Sequence, residues 1–197
     1  MINETFLKMQ KFAKDNSVPI INSETARLLS VLVKLKRPEK ILEIGTAIGY
    51  SSAVMMESLG GDCEIVTVER DFDMVNRARE FLKETGYFEK IKIIGGEATE
   101  VLPNLQSEYD FIFLDAAKGQ YIEFLPQIIR LLKKGGVLVS DNVLYKGMIT
   151  KRGIAKKKHI TIIRNLRDYL SQISDGEVFE TTILSIGDGV SISYKLI

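Results

Sequence analysis

The chain has 197 residues, 27 Lys and Arg against 26 Asp and Glu for a net charge of +1, and 45% hydrophobic residues. This fits one globular domain over residues 1–197, with helices in 1–38 and a core in 39–197, and excludes disorder, a collagen-like repeat and a polyanion-binding charge excess overall. A single cysteine, Cys63, and a single histidine, His159, exclude an internal disulfide and a Cys/His zinc cluster.

Residues 1–17 mix charged with apolar side chains and lack a signal-peptide run, and no later stretch reaches the roughly 20 apolar residues that span a bilayer. A reducing cytoplasm, with no membrane partner, is the expected setting. Helical spacing runs over 4–14 and 23–36, the second helix with Ser23 as its expected N-cap. From residue 39 short apolar runs alternate with helix-length segments: strands at 40–44, 64–68, 91–94, 111–114 and 136–140, and helices at 51–59, 71–85, 97–102 and 120–132. Strands that are apolar throughout, separated by crossover helices, predict a parallel sheet covered on both faces. A helix near 160–171 and two strands, 177–186 and 189–194, joined by a tight turn at Gly187-Asp188-Gly189, then add an antiparallel hairpin. The expected fold is therefore α/β, a doubly wound, mostly parallel sheet of seven strands.

The first strand runs straight into Gly45-Thr46-Ala47-Ile48-Gly49-Tyr50-Ser51, whose small residues allow a ligand to approach the backbone. Glu69 ends the second strand 69 − 49 = 20 residues after Gly49, the spacing of a carboxylate that accepts from ribose hydroxyls. Glu43, just before the loop, suits a ligand with a positive centre, such as the sulfonium and amino group of S-adenosylmethionine, better than a pyrophosphate. A plain strand-to-helix turn that needs glycine remains the alternative for the loop alone. Asp115, Asp141 and Asn142 follow neighbouring strands at their carboxyl ends, where open α/β sheets bind ligands. Two carboxylates and an amide are hard oxygen donors suited to Mg²⁺ or another divalent cation, although either aspartate taken singly reads better as a helix cap or loop carboxylate. Lys118, three residues after Asp115, is a candidate base for a substrate hydroxyl or a solvated lysine.

The stretches Leu42-Glu43-Ile44-Gly45-Thr46-Ala47-Ile48-Gly49-Tyr50-Ser51, Phe113-Leu114-Asp115-Ala116-Ala117-Lys118, Asp141-Asn142-Val143-Leu144 and Gly187-Asp188-Gly189 resemble those of the metal-dependent, catechol and caffeoyl-coenzyme A type O-methyltransferases. Within that family, Ala116-Ala117-Lys118-Gly119-Gln120-Tyr121, Asp141-Asn142-Val143-Leu144-Tyr145-Lys146-Gly147 and Val18-Pro19-Ile20 look most like the bacterial tRNA 5-hydroxyuridine methyltransferases. The resemblance implies a Rossmann-like class I methyltransferase fold and a homodimer. It implies S-adenosylmethionine surrounded by Glu43, Gly45, Ala47, Ser51, Glu69, Glu97, Ala98 and Asp115, with Glu69 on the ribose and Glu97-Ala98 beside adenine. It also implies a metal on Asp115, Asp141 and Asn142, and catalysis by Lys118 with Asp115. Family members often carry a further N-terminal helix ahead of the stretch that begins here near Phe6.

The acceptor follows from local charge. Residues 143–167 hold eight basic side chains, Lys146, Lys151, Arg152, Lys156, Lys157, Lys158, Arg164 and Arg167, and no acidic one, leaving 27 − 8 = 19 basic against 26 acidic residues elsewhere, a net of −7. A basic segment next to Asp141 and Asn142 suits phosphates around a tRNA anticodon loop, with Tyr145 and His159 available to stack on bases, or is simply a solvated face. The motif wording shared with the tRNA 5-hydroxyuridine methyltransferases, together with this segment, implies methylation of 5-hydroxyuridine at the tRNA wobble position. A small-molecule catechol or caffeoyl-type O-methyltransferase and a non-enzymatic nucleotide- or RNA-binding module are the alternatives.

Overall fold

The structure, a computed structural model, describes residues 4–145, 147, 149 and 157–197. Two amphipathic helices, α1 (Glu4–Asp15) and α2 (Ser23–Lys36), lead into the sheet. The cap of α2 is Asn22 and not Ser23: Asn22 is extended, and its Oδ1 accepts from the amides of Glu24 and Thr25 at 2.9 Å each. A cap must stand outside the helix to reach back to those amides, and Ser23 already lies in the first turn.

Then follow β1 (Lys40–Ile44), α3 (Tyr50–Ser58), β2 (Glu64–Glu69), α4 (Phe72–Thr85), β3 (Ile91–Gly95), α5 (Ala98–Val101), β4 (Tyr109–Leu114), α6 (Tyr121–Leu131) and β5 (Leu132–Asp141). The chain continues through α7 (Lys157–Ile173), β6 (Phe179–Leu184) and β7 (Val190–Lys195). The seven strands form one sheet in the order β3-β2-β1-β4-β5-β7-β6, in which β1 to β5 run parallel and β7 runs antiparallel to both its neighbours. Among the described residues no helix is long and apolar enough to cross a membrane.

Two boundaries differ from expectation. β5 begins at Leu132, directly off α6, because the register with β4 shifts between Tyr109 and Phe111 and absorbs the Lys-Lys-Gly-Gly stretch within the strand. The β6–β7 connection is a wider loop than the expected tight turn, since pairing ends at Leu184 with Val190, and β6 starts at Phe179.

Alternation along the strands divides the core between the two faces of the sheet. Leu42, Ile44, Ile112, Leu114 and Leu138 pack with α6 and α7 through Phe124, Ile128, Leu166 and Tyr169. Ile41, Phe111, Phe113 and Val139 pack with α1, α2 and α3 through Met9, Leu29, Val33 and Met55. Each such side chain contributes about 1.5–3 kcal/mol when fully withdrawn from water. The two layers hold the carboxyl ends of β1, β2, β4 and β5 side by side.

Candidate active site

At the end of β1 the chain turns at Gly45, whose φ is +103° and whose amide donates to the Val68 carbonyl at 3.0 Å. A Cβ built there would lie 2.1 Å from the carbonyl oxygen of Asp115, so only glycine lets the loop pass the end of β4. Glu69, ending β2, is held at both oxygens: Oε2 accepts the Ala47 amide at 2.8 Å and Oε1 accepts the Asp71 amide at 3.0 Å. Each carboxylate oxygen keeps a further lone pair for a ligand hydroxyl.

Glu43 stands differently from expectation. It is wholly buried beneath the first turn of α3, where it accepts from Ser51 Oγ at 2.5 Å, Thr67 Oγ1 at 2.6 Å and Ser52 Oγ. Burial pushes its carboxyl up to about 7, with the nearby Asp115 adding to the rise and the three hydroxyls opposing it. It does not line the cleft above. The amino end of α3 and its two serines intercept the side chain before it reaches a ligand, so Glu43 orders the loop from behind.

The cleft itself has a volume of about 520 Å³ and is walled by Gly45, Ala47, Ser51, Glu69, Glu97, Ala98, Asp115 and Lys118, all expected from the sequence. The turn after β4 sets Lys118 Nζ 3.1 Å from Asp115 Oδ1, and both side chains are mostly shielded from water. Asn165 on α7 fixes this turn by donating its Nδ2 to the Gly119 carbonyl at 2.7 Å.

Asp141 and Asn142 adjoin Asp115 from the end of β5. Asn142 has a left-handed φ of +60°, its amide N–H donates to Asp141 Oδ1 at 2.8 Å, and its Nδ2 lies 3.4 Å from Asp115 Oδ1. Burial and then the charge of Asp115 push the Asp141 carboxyl up to about 6. Like charges crowded in a buried place are what a cation relieves, and rotating the Asn142 amide turns an oxygen toward the same point. Among the described residues no group of three or more His, Cys, Asp or Glu forms a metal cluster, so a site here depends on the Asn142 amide as its third donor.

A family model described as O-methyltransferase matches residues 3–196. The chain belongs to the O-methyltransferase family. This O-methyltransferase is 32% identical over 174 residues to "Tapetum-specific methyltransferase 1" of Arabidopsis thaliana, covering 86% of the chain and 75% of the relative. It is 29% identical over 187 residues to a caffeoyl-CoA O-methyltransferase of Populus kitakamiensis, covering 91% and 78%. A crystal structure from Staphylococcus aureus, described as a caffeoyl-CoA O-methyltransferase, superposes with a TM-score of 0.89 at 34% identity over 98% of this chain and 93% of that one. A Podospora anserina methyltransferase solved with SAH bound shares the fold, with a TM-score of 0.88 at 24% identity over 100% and 89%.

The cleft of this methyltransferase is also lined by residues that the sequence did not assign to it. Val18 to Ile21, between α1 and α2, form an apolar wall of the cleft with Ser17 beside it, and Arg70, Met74, Gln120 and Phe124 are among the other lining residues. Arg70 Nη1 lies 4.0 Å from Glu97 Oε1 in this wall. Of these only Val18-Pro19-Ile20 and Gln120 carried a signal, as wording shared with a family. Of the basic segment, Lys146, Lys151, Arg152 and Lys156 lie outside the described residues, as do the side chains of Lys157 and Lys158. Arg167 is exposed and donates to the Ile149 carbonyl at 3.1 Å through one terminal nitrogen. His159 Nδ1 and the Tyr145 hydroxyl are 2.8 Å apart, so the two rings engage each other.

Proposed function

We propose that this chain moves the methyl group of S-adenosylmethionine to one oxygen of a small molecule bearing two adjacent oxygens, of catechol or caffeoyl type, with a divalent cation as cofactor. The observation that carries this reading is the clustering of Asp141, Asn142 and Lys118 about Asp115, which with Lys118 lines the same cleft as Glu69 and the glycine loop. The caffeoyl-CoA names of relatives that span most of the chain support it.

S-adenosylmethionine brings an electrophilic methyl carbon. A divalent cation, which Asp115, Asp141 and Asn142 would hold, would supply positive charge that makes a neighbouring hydroxyl more acidic. The protein's own groups do the rest. Both Glu69 oxygens, already oriented by the Ala47 and Asp71 amides, accept from the ribose diol. Glu97 and Ala98 flank the adenine. Lys118 Nζ takes the proton of the acceptor hydroxyl, and the Asn165 bond to Gly119 keeps the lysine-bearing turn in place for it. The apolar wall from Val18 to Ile21 keeps water off an oxyanion and a sulfonium whose charges cancel as the methyl moves, and alignment of the two supplies much of the rate.

Purified protein with S-adenosylmethionine and Mg²⁺ is expected to methylate caffeate or its coenzyme A ester, and Asp141→Ala to abolish the transfer. The second reading, methylation of 5-hydroxyuridine in a tRNA anticodon loop, is favoured by the eight basic residues of 143–167 beside Asn142. Transfer to tRNA that collapses when Lys156, Lys157 and Lys158 are reversed in charge, with no turnover of catechols, establishes that reading in place of the first. A homodimer belongs to the same proposal, and sedimentation of the purified protein tests it.

A further inference from the structure

Tyr121 opens α6 directly after the Lys118 turn, and its wholly buried ring meets Tyr169 edge to face, with centroids 5.5 Å apart. Its hydroxyl lies 3.0 Å from the carbonyl oxygen of Asp141 and 3.3 Å from that of Leu114. A phenol has one proton to give and two lone pairs to receive with. The shorter contact takes most of the proton, and the Ala116 backbone amide hydrogen-bonds to the same hydroxyl. One oxygen atom thus touches the backbone on both sides of Asp115 and the backbone of Asp141.

That bridge falls where the sheet supplies none. The parallel pairing of β4 with β5 stops at Leu114 and Ser140: Asp115 is still held to β1 through its amide on the Ile44 carbonyl and Asp141 to β7 through its pairing with Val190, but no β4–β5 ladder pairing joins the two. We propose that Tyr121 is the positioning residue of the Asp115, Asp141 and Asn142 donor set: its hydroxyl ties the ends of β4 and β5 together and so sets the spacing of the oxygen donors. This rests on the metal-dependent reading given above.

Tyr169 supplies the comparison. It is equally buried, and its hydroxyl lies 2.5 Å from Ser140 Oγ, a side chain that holds no metal donor. Tyr121→Phe deletes one oxygen and keeps the ring. With Mn²⁺ as the probe, followed by electron paramagnetic resonance, Tyr121→Phe is expected to bind about ten-fold more weakly than the parent. S-adenosylhomocysteine affinity, measured by calorimetry, stays within about two-fold, and Tyr169→Phe leaves both affinities within about two-fold. In metal-free protein, amide hydrogen exchange at Ala116 and Asn142 quickens in Tyr121→Phe and not in Tyr169→Phe. Tyr121→p-aminophenylalanine, which returns an N–H donor to the same place, restores Mn²⁺ binding. Parent-like Mn²⁺ affinity and exchange in Tyr121→Phe, or an equal loss in Tyr169→Phe, overturns the proposal. A parent protein that binds no Mn²⁺ removes the metal reading itself, and this inference with it.

Discussion

Replacing Gly45 by alanine tests whether the cofactor loop and the Asp115 strand end share one backbone contact. Two penalties are separable. The first is conformational, since a side chain at positive φ costs about 1–2 kcal/mol. Gly60, with φ +63° and nothing within 4 Å of a built Cβ, isolates that penalty. In a protein of this size about 1 kcal/mol moves Tm by roughly 2–4 °C, so Gly60→Ala should lower Tm by about 2–8 °C with activity unchanged. The second penalty is steric and belongs to Gly45 alone. Its Cβ would lie 2.1 Å from a backbone oxygen where real contacts stay beyond 3.0 Å, so loop and strand end must part by at least 3.0 − 2.1 = 0.9 Å. Overpacking of this kind costs a further 1–3 kcal/mol or so, which places Gly45→Ala about 2–12 °C below Gly60→Ala. A displacement near 1 Å at reacting groups costs on the order of 100-fold in rate. Differential scanning calorimetry and single-turnover methyl transfer read the two effects. Equal Tm values for the two variants, or near-parental turnover in Gly45→Ala, refute the reasoning.

Glu43→Gln reports on the buried carboxyl behind the loop. Because that carboxyl rises from 4.5 to about 7 on folding, the folded chain keeps a proton in this window that the unfolded chain has released. Its contribution is full below about 4.5 and lost as pH climbs to about 7, so the variant should show a flatter fall of Tm between these values; an unchanged slope contradicts the assignment. Part of the slope persists, because Asp141, raised to about 6, titrates in the same range. Lys118→Met should lower the rate of methyl transfer by about 10²–10⁴-fold while S-adenosylhomocysteine still binds, and comparable loss of both would move Lys118 from proton transfer to binding. Glu69→Ala removes the acceptor shared by the Ala47 and Asp71 amides and should weaken S-adenosylhomocysteine by roughly 10–150-fold in calorimetry, the equivalent of one hydrogen bond to a charged group.

The parallel strands were legible because burial on both faces forces continuous apolar runs, as in Phe111-Ile112-Phe113-Leu114, and such runs have few other readings. The strand-end positions of Glu69, Asp115 and Asp141 followed from the same fact, since a polar residue closing an apolar run marks where the chain leaves the sheet. The direction in which Glu43 points did not follow. Whether it meets a ligand or Ser51, Ser52 and Thr67 depends on where α3 lands, which is a matter of tertiary packing. Ser17 to Ile21 and Arg70 escaped for a related reason: they reach the cleft from connecting segments whose course no periodicity encodes. The start of β5 was hidden because Lys133-Lys134-Gly135-Gly136 has the composition of a turn, and only pairing with Tyr109 draws Leu132 into the strand. The cap of α2 was misplaced by one residue because Asn22 and Ser23 are both able caps and local sequence does not choose between them.

The order of strands in the sheet has a bearing on how this protein is made. β7 comes after every other strand in the chain yet sits inside the sheet, between β5 and β6. Until it emerges from the ribosome, β5 shows a bare edge, and β6, already synthesised, has no strand in the sheet to join. Asp141 is among the residues kept waiting, because its β5 pairing with Val190 closes only then. A nascent chain stalled before residue 190 would therefore display most of a methyltransferase with an open, sticky flank, and its dependence on chaperones should end with the arrival of one six-residue strand.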